Sequence, residues 1–269
     1  MAKIHSSAVI EEGAKIAADV EIGPFCHIGA NVELAAGVKI KSHVVISGHT
    51  SIGEGTHIWP FACLGEPPQD LKFRGEKSRL EIGKNNRIRE YVTMNLGTEG
   101  GGMVTRVGND CLFMSNVHIA HDCIVGNNVI MAVSATLAGH VEVGDFAVLG
   151  GLTAVHQFVK IGHHAMIGGM SGIENDVIPY GNAFGERAFL NGLNLVGLKR
   201  RGFEKDQINM LRNAFKTIFS SDGNLADRVE RAKSEYKSSG PVMEIIDFIT
   251  ADSSRSLCQP KKQKFDDAA

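Results

Sequence analysis

Aliphatic residues fall on every sixth position from the start of the chain: Ile4, Ile10, Ile16, Ile22, Ile28, Leu34, Ile40, Ile46, Ile52, Ile58 and Leu64. Two positions before each lies a small or β-branched residue, in the series Ala8, Ala14, Val20, Cys26, Val32, Val38, Val44, Thr50, Thr56 and Ala62. Two apolar residues separated by one polar neighbour point to the same side of a short strand, because side chains alternate faces along it. A helix, with 3.6 residues per turn, cannot keep a six-residue beat. The pattern predicts a coil of very short parallel strands, each layer burying its inner edge against the next.

The beat survives two interruptions. Ile82, Ile88 and Met94 keep the first frame, and Val107, Phe113, Ile119, Val125, Met131, Leu137, Val143, Leu149, Val155, Ile161, Ile167 and Ile173 follow in a frame shifted by one residue. The interruptions read as loops thrown out of the coil, at 66–79 with Pro67-Pro68 and at the glycine-rich 97–103. The second loop lacks the Lys and Ser/Thr that follow a phosphate-binding glycine loop and is assigned no nucleotide role. The beat ends after Pro179. From about Phe189 the chain reads as helical, with a basic end at Lys199-Arg200-Arg201 and a Gly202 stop, then one-sided helices at 204–221, 225–236 and 241–249. Residues 253–269 read as a frayed tail.

The repeat resembles that of the hexapeptide-repeat proteins over residues 1 to about 180. The resemblance implies a left-handed parallel β-helix with three hexads in each 18-residue coil. The expected fold is therefore mainly β, with the helix-shaped coil over 1–185, carrying the chemistry, and an α-helical domain over 186–269.

The 269 residues carry a formal net charge of −2, which argues against a dedicated nucleic-acid binder. No apolar run reaches spanning length and the N-terminus lacks a secretory pattern, so the expectation is a cytoplasmic protein without an integral membrane segment. Cys26, Cys111 and Cys123 fall on the inward beat and read as reduced packing residues. Between Val107 and Ile173 only Asp110, Asp122, Glu142, Asp145 and Lys160 are charged. An exposed coil so poor in charge presents apolar surface, which predicts side-by-side contact between copies, and the family habit makes that a homotrimer.

The same stretch carries His118, His121, His140, His156, His163 and His164. A single histidine on a turn is usually solvated or structural; six in the least charged part of a chain are harder to assign that way. With an 18-residue coil, Gly139 stacks over His121, His140 over Asp122, His156 over Ala138 and Gln157 over Gly139, so one edge gathers imidazoles. Two chemistries suit it. A neutral imidazole can act as general base, with a glycine N–H facing a developing oxyanion. Alternatively, three neutral histidines could hold zinc, as in the carbonic-anhydrase-like hexapeptide proteins, although that group's ligand pair separated by four residues has no counterpart around His118 and His121.

More specific segments are Ile119-Ala120-His121-Asp122-Cys123, Ala138-Gly139-His140, Ala154-Val155-His156-Gln157-Phe158, Gln69-Asp70-Leu71-Lys72 and Gly197-Leu198-Lys199-Arg200-Arg201-Gly202-Phe203. They resemble the UDP-N-acetylglucosamine O-acyltransferase family of lipid A biosynthesis across essentially the whole chain except its tail. The resemblance implies transfer of a 3-hydroxyacyl chain from acyl carrier protein to the sugar 3-position. His121 would be the general base, Asp122 its orienting partner and Gly139 N–H the oxyanion donor. Asp70, Lys72, His118, His140, His156 and Gln157 would hold the sugar and phosphates. Asn194, Arg200 and Arg201 would reach the UDP moiety, the arginines as paired donors to diphosphate. Gly169, flanked by Met166 and Met170, would set acyl length. No metal and no cofactor is implied beyond the thioester on the carrier's phosphopantetheine, and the basic 199–201 segment with the C-terminal helices would meet that acidic carrier.

Asn95 and Val196 depart from the family, which carries His and Glu there. Loss of the Glu bears on the uracil contact rather than the chemistry. Three other readings stay open at this point: a 3-amino acceptor giving an amide, the zinc enzyme, and a non-catalytic solenoid. The sister N-acyltransferase has a uridine-binding domain ahead of its coil, for which a beat starting at Ile4 leaves no room.

Overall fold

The computed structural model describes residues 1–261. Strands, mostly two residues long, stack into three sheets of eleven, nine and eight strands, the three faces of a triangular coil. Lys3 lies opposite Glu21, and Glu21 opposite Lys39, one coil apart. The spacing widens where the two loops leave the coil, with His57 opposite Arg87 and Arg87 opposite Leu112. The beat residues face inward and are buried from Ile22 to Ile173. Ile4 is the exception at 43% exposed, and Ile10 and Ile16 are only half-buried: a first coil has no layer beneath it to complete its core.

Three corners separate the faces. At many of them one residue adopts the left-handed conformation, among them Asp122 (φ 60°), His140 (φ 62°) and Phe158 (φ 68°). That conformation is costly for side-chain-bearing residues. It is stabilised here because each corner N–H bonds to the coil below: His140 N–H to His121 O at 3.0 Å, Phe158 N–H to Gly139 O at 3.1 Å. Corner side chains therefore stack in columns along the edges. All five cysteines are free; burial pushes the thiols of Cys111 and Cys123 up to about 11 and about 12, as befits packing residues.

Beyond the coil, Gly181–Phe184 joins the first face and pairs antiparallel with Phe189–Leu193. Four helices follow: α1 (Leu195–Arg200), α2 (Lys205–Ile218), α3 (Leu225–Glu235) and α4 (Gly240–Thr250). A capping box between Glu204 and Gln207 starts α2, and Ile208, Leu211, Ala214 and Ile218 bury its apolar stripe. Two sequence expectations fail here. Phe189 begins a strand rather than a helix, because the open edge of the first face takes its hydrogen bonds and Gly192 turns at φ 118°. Nor is the tail frayed as far as 261. Asp176 N–H donates to Ser256 O at 2.9 Å, Cys258 N–H donates to Asp176 O at 2.8 Å, and the Cys258 side chain is buried. Residues 262–269 of that expected tail lie outside the described residues.

Where the helices meet the coil, the His164 ring stacks between Phe146, centroids 4.8 Å apart, and Tyr180, at 5.5 Å. Phe203 packs edge-on against it, and the Tyr180 hydroxyl is held by Glu244 of α4. Burial first, then the neighbouring His163 and Arg201, lower the His164 pKa to about 4 against an opposing pull from Asp145. The unfolded chain therefore binds a proton that the fold refuses. Stability from this site is intact above about pH 6.5 and is lost as pH falls toward 4. The urea midpoint should drop between pH 7.5 and 5, and His164→Phe should flatten that drop; an unchanged slope would assign the acid sensitivity to other groups.

Candidate active site

His118, at the end of a strand on the second face, projects outward while Ile119 points into the core. His118 Nδ1 lies 2.7 Å from Thr93 Oγ1 on the coil below. Three residues on, the corner begins with His121 and turns at Asp122. The Asp122 side chain is fully buried, and its Oδ2 accepts from His121 Nδ1 at 2.8 Å. A donor at Nδ1 leaves the His121 Nε2 lone pair free, the tautomer that can take a proton. Asp122 is itself fixed: Thr98 N–H donates to Oδ1 at 2.8 Å, Thr98 Oγ1 to Oδ2 at 2.6 Å, and Asp122 N–H donates to Thr105 Oγ1 at 2.8 Å.

Gly139 sits on the next coil directly over the imidazole, as the 18-residue stacking expects. A Cβ there would lie 2.5 Å from His121 Cε1 and 2.7 Å from Nε2. Its N–H donates to no backbone acceptor among the described residues. His140 follows, edge-on to His121 at 5.0 Å and 3.8 Å from Asp122 Oδ2. Phe158 stacks flat on His140 one coil higher, centroids 4.4 Å apart. Burial lowers the pKa of His118 and of His140, so both rings are neutral near pH 7. Asp70 and Lys72 of the 66–79 loop act on the His140 charge with opposite signs, which puts that loop beside this edge. His156 and Gln157 continue the edge and are exposed.

The other expected residues lie elsewhere. Asn194 caps α1: its Oδ1 accepts from Gly197 N–H at 3.0 Å and its Nδ2 donates to His164 O at 2.9 Å. Arg201 donates to Phe146 O at 3.1 Å and lies over the Phe146 ring at 4.6 Å, while Arg200 is exposed. Phe146 belongs to the corner between the third and first faces, not the one carrying His121 and His140. Gly169 and Met170 form the remaining corner, between the first and second faces, with Met166 on the adjoining strand. Met170 is 74% exposed and Gly169 is exposed beside it. The expected site residues are thus spread over all three edges of one chain.

Sequence reasoning missed Thr98 and Gly101. A Cβ at Gly101 would come 1.9 Å from Asp122 Cγ, so the glycine-rich 97–103 loop is the wall behind the carboxylate. Its loop position hides it from any periodic signal; only its glycine density marks it. His121, Asp122 and His140 also present ligand-type atoms within 4.8 Å of one another. Three donors already occupy the Asp122 carboxylate, one on Oδ1 and two on Oδ2, and the His121 bond among them is the one that aims the ring.

Known proteins match the chain in both its coil and its C-terminal part. The family model for bacterial transferase hexapeptide repeats matches residues 1–36 and 105–139, and that for UDP-N-acetylglucosamine O-acyltransferase, domain 2, matches 176–258. The chain is 52% identical over 259 residues to the acyl-[acyl-carrier-protein]–UDP-N-acetylglucosamine O-acyltransferase of Rickettsia canadensis, covering 96% of this chain and 98% of that one. It is 49% identical over 263 residues to the enzyme of the same name from Rhizobium rhizogenes, covering 98% and 97%. Among solved structures, UDP-N-acetylglucosamine acyltransferase from Campylobacter jejuni superposes with a TM-score of 0.90 at 43% identity, covering 96% of this chain and all of the other. The Arabidopsis enzyme superposes at 0.85 with 34% identity, covering 95% of this chain and all of the other. The fold is the left-handed parallel β-helix of these proteins, with C-terminal helices. The chain belongs to the acyl-[acyl-carrier-protein]–UDP-N-acetylglucosamine O-acyltransferase family.

Proposed function

We propose that this chain transfers a 3-hydroxyacyl group from acyl carrier protein to the 3-hydroxyl of UDP-N-acetylglucosamine, the first step of lipid A biosynthesis, with His121 as general base. The observation that carries the mechanism is the His121–Asp122 pair under Gly139: one ring nitrogen is held as donor at 2.8 Å and the other is left facing the glycine backbone. The sugar oxygen attacks the thioester carbonyl as His121 Nε2 takes its proton. Gly139 N–H meets the oxyanion, whose collapse breaks the C–S bond, and the imidazolium returns the proton to the leaving phosphopantetheine thiolate. The sequence of bonds needs no metal or further cofactor. Neutral His118 and His140, with His156 and Gln157, bind the acceptor, and Asp70 and Lys72 of the 66–79 loop add one negative and one positive charge that oppose each other at His140.

The same reading makes the working unit a trimer. Asn194, Arg200 and Arg201, and the acyl-length residues Gly169, Met166 and Met170, sit on edges other than that of His121, so only neighbouring copies can bring them into one cleft. Exposed Leu152 and Met170 on one edge and Phe158 on another are apolar surface suited to such contact. The coil over 1–185 carries the chemistry, and the region from 186 binds nucleotide and carrier. Among the described residues no helix is long and apolar enough to cross a membrane; the site of action in this reading is the cytoplasm.

The test is to follow release of carrier thiol with UDP-N-acetylglucosamine, its 3-amino analogue and carriers loaded with 3-hydroxyacyl chains of graded length. Sugar-dependent thiol release with equimolar acylated sugar supports the reading. Release without acylated sugar, or none, overturns it. The same panel checks the length setting. A Cβ at Gly169 would lie 3.2 Å from Gly151 O, tight but relieved by a small shift, and a longer side chain would project along the exposed edge. Gly169→Met should move the kcat/KM optimum to shorter chains by several methylenes, at about 0.8 kcal/mol lost for each one left unburied. An unchanged profile would remove residue 169 from the acyl groove.

A further inference from the structure

The segment 251–261 returns across the coil and reaches the histidine edge. Ser253 Oγ donates to Asp176 Oδ2 at 2.5 Å, and Asp176, 4% exposed, accepts Lys160 N–H through Oδ1 at 2.7 Å. Lys160 Nζ holds Asp252 O at 3.0 Å. From this anchor Arg255 extends outward. Its Nη2 lies 2.6 Å from His156 Nδ1 and its Nε donates to Gln157 O at 2.9 Å.

We infer that Arg255 is a positioning residue of the substrate edge, acting through His156 and Gln157. This deepens the proposed function and rests on its placing of the sugar nucleotide on those two residues.

A guanidinium only donates and stays charged, so the His156 nitrogen facing it must carry the lone pair. That choice puts the His156 proton on Nε2 and turns one N–H away from Arg255, available to an acceptor on the substrate. The second arm of the same planar fork fixes the Gln157 carbonyl, so the ring and the adjacent backbone are set together. The effect continues along the edge, because Phe158 follows Gln157 and stacks on His140. The fold's own need is met elsewhere. Asp176 and Cys258 are buried and hold the returning strap, whereas His156 and Gln157 are exposed, and two hydrogen bonds at the surface contribute little to stability. An arginine spent on orienting two exposed residues of the candidate site is accounted for by what they bind. The pairing spans 99 residues of chain, beyond any sequence periodicity.

Arg255→Ala should raise KM for UDP-N-acetylglucosamine about tenfold and change kcat by less than about twofold, the split expected when binding rather than the chemical step is disturbed. The thermal midpoint should stay within about a degree. Imidazole 15N shifts, with His156→Gln as the assignment control, should show His156 passing from the Nε2–H tautomer to a mixture. Arg255→Lys, with charge but no fork, should leave KM raised at least about threefold. In a His156→Ala background, Arg255→Ala should add less than about twofold, since coupled residues are not additive. Unaltered KM and tautomer in Arg255→Ala would overturn the inference. So would a parallel loss of thermal midpoint and kcat, which would mark a purely structural tie. If His156→Ala and Gln157→Ala themselves leave KM unchanged, the failure lies instead in the placing of the sugar nucleotide on this edge.

Discussion

Replacing His121 with alanine is expected to lower kcat by about a hundred- to ten-thousandfold while the coil stays folded. The side chain lies at a corner and is 15% exposed, so its loss opens no cavity in the core. In the proposed mechanism its role rests on two contacts, the 2.8 Å bond to Asp122 and the close approach to Gly139, which together aim Nε2. Binding of the sugar nucleotide, measured by calorimetry, should persist because His118, His140 and the 66–79 loop remain. Asp122, left without its imidazole partner, still has both Thr98 donors. A variant keeping more than about a tenth of the wild-type kcat would contradict the assignment.

Gly139→Ala should cost about a hundred- to a thousandfold in kcat, on the scale of losing an oxyanion-hole donor. The backbone there does not require glycine for its φ angle, so the effect comes from the added methyl alone. That methyl would meet Cε1 at 2.5 Å, Nε2 at 2.7 Å and Nδ1 at 3.2 Å of the same ring. The ring cannot slide away without stretching its bond to Asp122, which the 97–103 loop holds from behind. Displacing a base by even an ångström is expensive in rate. The strain of that overlap should also lower the thermal midpoint by a few degrees. A kcat within about fivefold of wild type would mean that the imidazole works from a different rotamer.

Much of this was legible in the sequence, and the reason is periodicity. A repeat in which inner residues recur every sixth position states which side chains are buried and which corner residues share a column. The stack of Gly139 over His121 and His140 over Asp122 follows from counting once the resemblance to hexapeptide-repeat proteins supplies the 18-residue coil. What counting cannot see is anything off the beat. Thr98 and Gly101 sit in an excursion loop whose path back to Asp122 has no period. Phe189–Leu193 becomes a strand because a sheet edge was free, a tertiary fact that overrides local pattern. Arg255 reaches His156 through a chain return that nothing near residue 156 announces. The exposure of Ile4 follows from being first in the stack, where an inward position has nothing to face. The spread of the expected site residues over three edges emerges only once the corners are assigned to faces, and the proposed trimer rests on it.

The most direct test of the central claim is the pH dependence of kcat/KM for acyl transfer to UDP-N-acetylglucosamine, measured for wild type and His121→Ala side by side. A general base must be unprotonated in the free enzyme, so the wild-type profile should fall on the acid side with unit slope. The residual activity of His121→Ala should lose that limb and be flat over the same range. A variant that retains the wild-type acid limb would place the base on another residue and contradict the account.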